Sequence, residues 1–173
     1  ANLVMGLKIP ETCSATGGIY VYDDGRTVPD TCNALLNYPS RNLTISFVGS
    51  SNNALFDREA QYRGTHGTME LGPNWLRLYA EQKDALFKQY VASDKADEFE
   101  DLRAQPIHKE PTSYRWSTTE HLDDFFVNVK SRGQCKASVQ ECFTATVALT
   151  MAIQSYKTKR TACWDADQEQ IVM

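Results

Sequence analysis

The residues of this chain whose types could do chemistry are three histidines, five cysteines and an Arg115-Trp116 pair. His121 follows Ser117-Thr118-Thr119-Glu120, a capping pattern that opens a helix, so its imidazole can bond backbone, solvent or a ligand from the first turn. Arg115 and Trp116 stand just ahead of it and offer a guanidinium fork for oxygen atoms and an indole face for packing; core anchoring suits Trp116 best. His66 lies in the turn Gly64-Thr65-His66-Gly67 and His108 in a polar connector, so both read as surface residues. Cys13, Cys32, Cys135, Cys142 and Cys163 form no Cys-x-x-Cys pair and have no histidine at ligand spacing. They read as reduced thiols of a cytoplasmic protein, and Cys13, Cys32 and Cys142, inside regular elements, as small apolar residues. Asp97, Glu98, Glu100 and Asp101 lack the alternating ligands and glycine turn of a calcium loop and read as a solvated face.

These groups need a scaffold, and composition bounds it. With 173 residues, 42% of them apolar, the chain can bury one core as a single domain spanning 1–173. Its 18 basic and 22 acidic residues give a net charge of −4, with the cations scattered, which argues against nucleic acid as a partner. The apolar run Val147 to Ile153 contains threonine and is far too short to span a membrane. Ala1 to Gly6 reads as the last turn of a helix with Gly6 as its left-handed stop, and no cap precedes it. The chain is therefore expected to be a fragment of a longer polypeptide.

Strand patterns come first and helical ones last. Thr12 to Tyr22 and Thr31 to Tyr38 flank the turn Asp23-Asp24-Gly25 and predict a hairpin. Leu43, Ile45 and Phe47 then alternate with Thr44 and Ser46, which predicts one covered and one open face. The triplet Asn42-Leu43-Thr44 opens this strand and reads as structural. Residues 59–63, 68–71 and 75–79 read as short strands. Residues 82–111 are dense in charge and carry Pro106 and Pro111, which predicts an insertion with a short helix and an extended connector. Leu122, Phe125, Phe126 and Val129 mark a helix ending near Gly133, and Val139, Phe143, Val147, Met151 and Ile153 a longer one. Thr161 to Trp164 should return to a sheet edge. The expected fold is α+β, a mostly antiparallel open-faced sheet with helices packed on one face.

Six segments, in order, carry a family resemblance: PETCSATGGIYVYDDGRTVPDTCNALLNYPS, NLTISF, YRGTHGTMEL, HLDDFFVNVKSRGQC, VQECFTATVALTMAIQSYKTKR and WDADQEQI. Together they resemble the C-terminal domain of the Gfo/Idh/MocA oxidoreductases, over nearly the whole chain except residues 82–111. No single segment is diagnostic, and the ordered set is the warrant.

The resemblance implies a two-domain parent. Its N-terminal dinucleotide-binding domain would hold NAD or NADP, and its C-terminal domain would close the substrate pocket and offer an open sheet face for homo-oligomerisation. The implied chemistry is hydride transfer between a nicotinamide and a hydroxyl-bearing carbon of a sugar, inositol or related polyol. The family's Glu-Lys-Pro lysine and its downstream aspartate and histidine have no counterpart in residues 1–173, so no catalytic residue is assigned and the isolated chain is expected to be inactive. Gly17-Gly18 lies in a strand pattern with no helix after it, so no cofactor-binding residue is assigned either. Arg115, Trp116 and His121 are the positions expected to touch substrate in the parent. Cys142 stands where relatives usually have glycine, Phe143 where they commonly have histidine, and Lys159 replaces a frequent glycine. Two other readings use the same architecture: an NAD-dependent glycoside hydrolase, and a module that assembles through its sheet without chemistry.

Overall fold

A computed structural model describes residues 5–53, 60–72, 75–81, 84, 85, 88, 89, 106–111 and 118–173. The chain divides into two compact units, one made of residues 1–54 with 119–173 and the other of residues 55–118. Gly6 has the positive φ of +59° expected of a helix stop.

The first unit is a five-stranded antiparallel sheet carrying a helix. Its strands are β1 (Thr12–Gly18), β2 (Thr31–Tyr38), β3 (Leu43–Ser50), β8 (Ala162–Asp165) and β9 (Gln170–Val172), in the order β3-β2-β1-β8-β9. Register follows from alternation. Cys13 pairs with Leu36 on one side and Ala162 on the other, and Leu36 with Ile45, so one face collects apolar side chains. Helix α2 (Val139–Thr158) covers that face, with Val147 and Met151 packed on Cys13, Ala34 and Ala162. The helix starts at a full capping box, in which Ser138 accepts from the Glu141 N–H and the Glu141 carboxylate accepts from the Ser138 N–H. Helix α1 (Thr118–Ser131) buries none of its residues.

The second unit is a separate four-stranded antiparallel sheet of β4 (Ala60–Arg63), β5 (Gly67–Leu71), β6 (Trp75–Ala80) and β7 (His108–Pro111), in sequence order. The α+β class and the antiparallel pairing expected from sequence are thus present, with the strands shared between two sheets.

Several local expectations are corrected. The first strand stops at Gly18, well before Tyr22, because residues 20–22 turn their N–H groups onto a side chain and leave none for a ladder. Phe47 sits on the helix-facing register of β3 yet is exposed, because β3 is the sheet edge and α2 packs over β1 and β8. Ala162–Asp165 is an inner strand; the edge is β9, a short strand that follows a turn with Glu169 at φ +49°. His108 lies in β7, paired with Leu78, where an extended connector was expected. On α2 the buried stripe is Thr144, Val147, Ala148, Met151 and Ser155, while Val139, Phe143 and Ile153 point outward.

Candidate functional site

Of the three positions expected to touch substrate, Arg115 and Trp116 lie outside the described residues. His121 sits in the first turn of α1, exposed, with no hydrogen bond or ion pair among the described residues. The other two histidines are surface groups: His66 Nδ1 pairs with Asp84 Oδ2 at 2.5 Å, and His108 Nε2 lies 3.6 Å from Glu110 Oε2. The acidic run at residues 97–101 also lies outside the described residues.

The most organised polar feature of the first unit is one that sequence reasoning missed. Between β1 and β2, the Asp30 side chain is buried and its Oδ2 accepts from three consecutive backbone N–H groups, those of Tyr20 at 2.8 Å, Val21 at 2.9 Å and Tyr22 at 3.2 Å. Its Oδ1 accepts from the Thr31 hydroxyl at 3.1 Å and Asn52 Nδ2 at 3.4 Å. The backbone bonds, led by that from Val21, hold the Asp30 carboxyl far below the ordinary carboxylate range against the opposing effect of burial. A group so held is a poor base, and its lone pairs are spent on the loop. Asp30 therefore positions residues 19–22 and takes no proton. The one available signal in the sequence was Pro29-Asp30-Thr31, a short acceptor at a strand entry.

Beside it lies a shallow recess of about 500 Å³ lined by Asp24, Gly25, Arg26, Val28, Pro29 and Ser51. Its charges are already matched. Arg26 bonds Asp24 through Nε at 2.8 Å and Nη2 at 2.6 Å, and its guanidinium lies 4.4 Å from the Tyr22 ring centroid. The Arg26 side chain holds the Asp24 carboxyl down to about 2.

The face of the five-stranded sheet opposite α2 carries Thr12, Ser14 and Thr16 of β1, Thr31, Asn33, Leu35 and Asn37 of β2, and Thr44, Ser46 and Val48 of β3. Thr44 and Ser46 are exposed, as expected, and so are Leu35 and Val48. Gly18 ends this face, and a Cβ there would come 2.6 Å from the Tyr20 ring, so the ring folds back over the glycine. The face is rich in hydroxyl and amide groups and dotted with exposed apolar side chains.

One face of the second unit's sheet carries a polar ladder. Arg63 donates to Gln61 at 2.7 Å, Gln61 to Glu70 at 2.8 Å, and Arg77 lies 4.1 Å over the Trp75 ring. These groups satisfy one another and read as sheet stabilisation.

Nothing in the described residues fits a dinucleotide. Gly17 and Gly18 are within β1, where a Cβ at Gly17 would run into the Thr31 carbonyl oxygen, so Gly17 serves strand packing. The N-terminus of α2, which could attract a phosphate, is already filled by Ser138 and Glu141. Among the described residues no group of three His, Cys, Asp or Glu side chains could hold a metal ion, and no helix is long and apolar enough to cross a membrane.

No family model and no curated protein matches the sequence. Solved structures do match the fold. An oxidoreductase from Agrobacterium radiobacter, in complex with NAD+, L-tartaric acid and magnesium, gives a TM-score of 0.61 at 13% identity over 94% of this chain and 45% of its own. An NAD-binding protein from Listeria innocua gives 0.57 at 15% identity, over 93% of this chain and 47% of its own. The chain thus spans just under half the length of these structures. At such identities the likeness establishes the fold, an α+β arrangement shared with oxidoreductase C-terminal domains, which is the fold implied by the Gfo/Idh/MocA resemblance.

Proposed function

We propose that this chain is the substrate-facing and oligomer-forming half of an NAD- or NADP-dependent oxidoreductase acting on a sugar, an inositol or a related polyol. The observation that carries the reading is the fold likeness over 94% of the chain to an oxidoreductase whose crystals held NAD+ and L-tartaric acid, a small polyhydroxylated acid. The dinucleotide would be held elsewhere in the polypeptide, in keeping with described residues that offer no cradle for it. Arg115, Trp116 and His121 would contribute contacts to hydroxyl groups and a sugar ring face, and the base that removes the hydroxyl proton would come from elsewhere. The chain alone would be inactive.

The test is a polyol and sugar screen with NAD and NADP on the complete source polypeptide. Accumulating NADH or NADPH supports the reading. Release of a free sugar without net NADH would replace it with NAD-dependent glycoside cleavage. Neither product, together with a stable oligomer, would leave only an assembly module.

A second copy is the proposed partner at the open sheet face, whose exposed surface mixes apolar and hydroxyl side chains as a homo-oligomer interface does. Neither a nucleic acid nor a membrane is proposed as a partner, in keeping with the net charge of −4 and the scattered cations of the sequence.

A further inference from the structure

Four apolar residues in succession, Ile19, Tyr20, Val21 and Tyr22, stand exposed on the loop that follows β1, and Val28 stands exposed farther along it; their exposures lie between 38% and 69%. A run of that length left in water marks a surface with a use. The loop is nonetheless held at several points. Asp30 Oδ2 takes the N–H groups of residues 20–22, the Tyr22 hydroxyl donates to the Ser51 carbonyl at 3.2 Å, and the Arg26 guanidinium lies over the Tyr22 ring. The backbone beneath these side chains is already ordered, so contact with a partner costs less entropy than it would on a loose loop. Tyrosine and arginine are also the side chains that most often carry the energy of a protein interface.

Charge, continuity and area select the occupant. The loop carries Asp23 and Asp24 against Arg26, which attracts neither a phosphate backbone nor an anionic lipid surface. Gly18 is the last open-face position of β1, in phase with Thr12, Ser14 and Thr16, and a Cβ built on it would meet the Tyr20 ring at 2.6 Å. The ring therefore lies on the open sheet face, and loop and face form one continuous surface. The face alone is small: at about 3.4 Å per residue and about 4.8 Å between strands, its five strands cover roughly 500 Å². A stable complex takes roughly 800 Å² from each partner. Tyrosines that bury about 150–250 Å² each, with the aliphatic residues beside them, supply the difference.

We infer that the loop Ile19–Tyr22, held in place by Asp30, is an anchor that a second copy of this chain covers. It extends past the end of β1 the assembly proposed above for the open sheet face, and the inference rests on that reading.

Hydroxyl-radical footprinting of Tyr20 and Tyr22 tests this on the complete source polypeptide, over a dilution series carried from assembly down to monomer. The expected result is labelling several-fold lower in the assembly than in the monomer. Labelling that is the same at both ends would overturn the inference, whether high throughout, which leaves the loop in water, or low throughout, which gives it to another part of the same polypeptide. Tyr20→Ser combined with Val21→Ser alters two side chains that are more than half exposed, so the monomer's circular dichroism should hold while the dissociation constant rises about 10- to 100-fold. An unchanged constant would overturn the inference. Leu35→Glu on the open face separates the two ideas. A constant raised by Leu35→Glu alone keeps the stacked face and removes the loop; a constant raised by the loop variant alone keeps the loop as the anchor and removes the face.

Discussion

The Ala15 N–H donates to the buried hydroxyl of Ser155 at 2.9 Å, tying the C-terminal turn of α2 to β1 beyond the point where β8 pairs with it. The β8 ladder reaches only Thr12 and Cys13, so the Ala15 N–H on that side has no strand partner and takes a side chain in its place. Ser155→Ala should leave this donor unsatisfied and cost about 1–2 kcal/mol. Urea unfolding should show a lower midpoint with an unchanged m-value. An unchanged midpoint would mean that solvent replaces the hydroxyl and that α2 is held by apolar contact alone.

Asp30 should make the β1–β2 loop sensitive to acid. Its native pKa is depressed by backbone hydrogen bonds, so its contribution is complete above the unfolded carboxylate value of about 3.9 and is lost as pH falls below that toward the native value. Asp30→Asn should therefore be less stable than the parent at neutral pH, and the gap should close as both are titrated below about pH 4. Thermal melts across that range read it directly. A gap that stays constant with pH would show that the carboxylate's charge contributes nothing.

These two contacts also mark the limit of what the sequence discloses. Thr31–Tyr38 and the start of α2 at Val139 were legible because alternation, turn residues and helical periodicity are local signals. So were Gly6 and the exposed Thr44 and Ser46. Asp30 was not, since an acid flanked by Pro29 and Thr31 reads as any polar loop residue until the chain folds three N–H groups around it. The apolar spacing of Leu122, Phe125, Phe126 and Val129 specified a helix correctly but did not disclose that these residues stay exposed, because the period of a stripe is the same whether it is covered or not. The division into two sheets was illegible for a similar reason: short strands joined by tight turns pair with their neighbours, and nothing local says where one ladder ends. Of the expected substrate contacts, only His121 lies among the described residues, and it has no hydrogen bond or ion pair with another of them.

Lys159 offers a gain in stability. It caps α2 in the left-handed region at φ +59°, where its N–H donates to the Ser155 carbonyl at 2.9 Å. A side chain there is strained, and glycine relieves the strain by about 1 kcal/mol. The substitution also removes the ammonium that lies 4.3 Å from the Tyr156 ring, an exposed contact that contributes about 0.5 kcal/mol. Lys159→Gly should thus be stabilising by a few tenths of a kcal/mol to about 1 kcal/mol, a rise in Tm of up to about 4 °C. A fall in Tm would mean that the Tyr156 contact outweighs the backbone strain.

Tyr38 should tolerate loss of its hydroxyl. The ring is buried in the first unit, while the hydroxyl has no hydrogen-bond partner among the described residues and burial raises its pKa. Removing an unsatisfied buried hydroxyl is near neutral or favourable, whereas removing the ring leaves a cavity that costs about 3–5 kcal/mol. Tyr38→Phe should unfold at or above the parent midpoint in urea, and Tyr38→Ala well below it. Marked destabilisation of Tyr38→Phe would reveal a partner for the hydroxyl, such as an internal water.

The open sheet face supplies the last expectation. Leu35 and Val48 are its exposed apolar side chains, set among Thr44, Ser46, Asn33 and Thr16, and Tyr20 lies over its Gly18 end. If a second copy stacks on this face, a charge placed at its centre is buried without a partner in the assembly but hydrated in the monomer. Leu35→Glu should then raise the dimer dissociation constant by about 100-fold or more, equivalent to roughly 3 kcal/mol, while leaving the monomer's circular dichroism unchanged. Lys88→Glu, on the other unit, serves as the charge control and should leave the constant where it was. Sedimentation equilibrium over a dilution series measures both. A Leu35→Glu protein that assembles as tightly as the parent would move the interface off this sheet face.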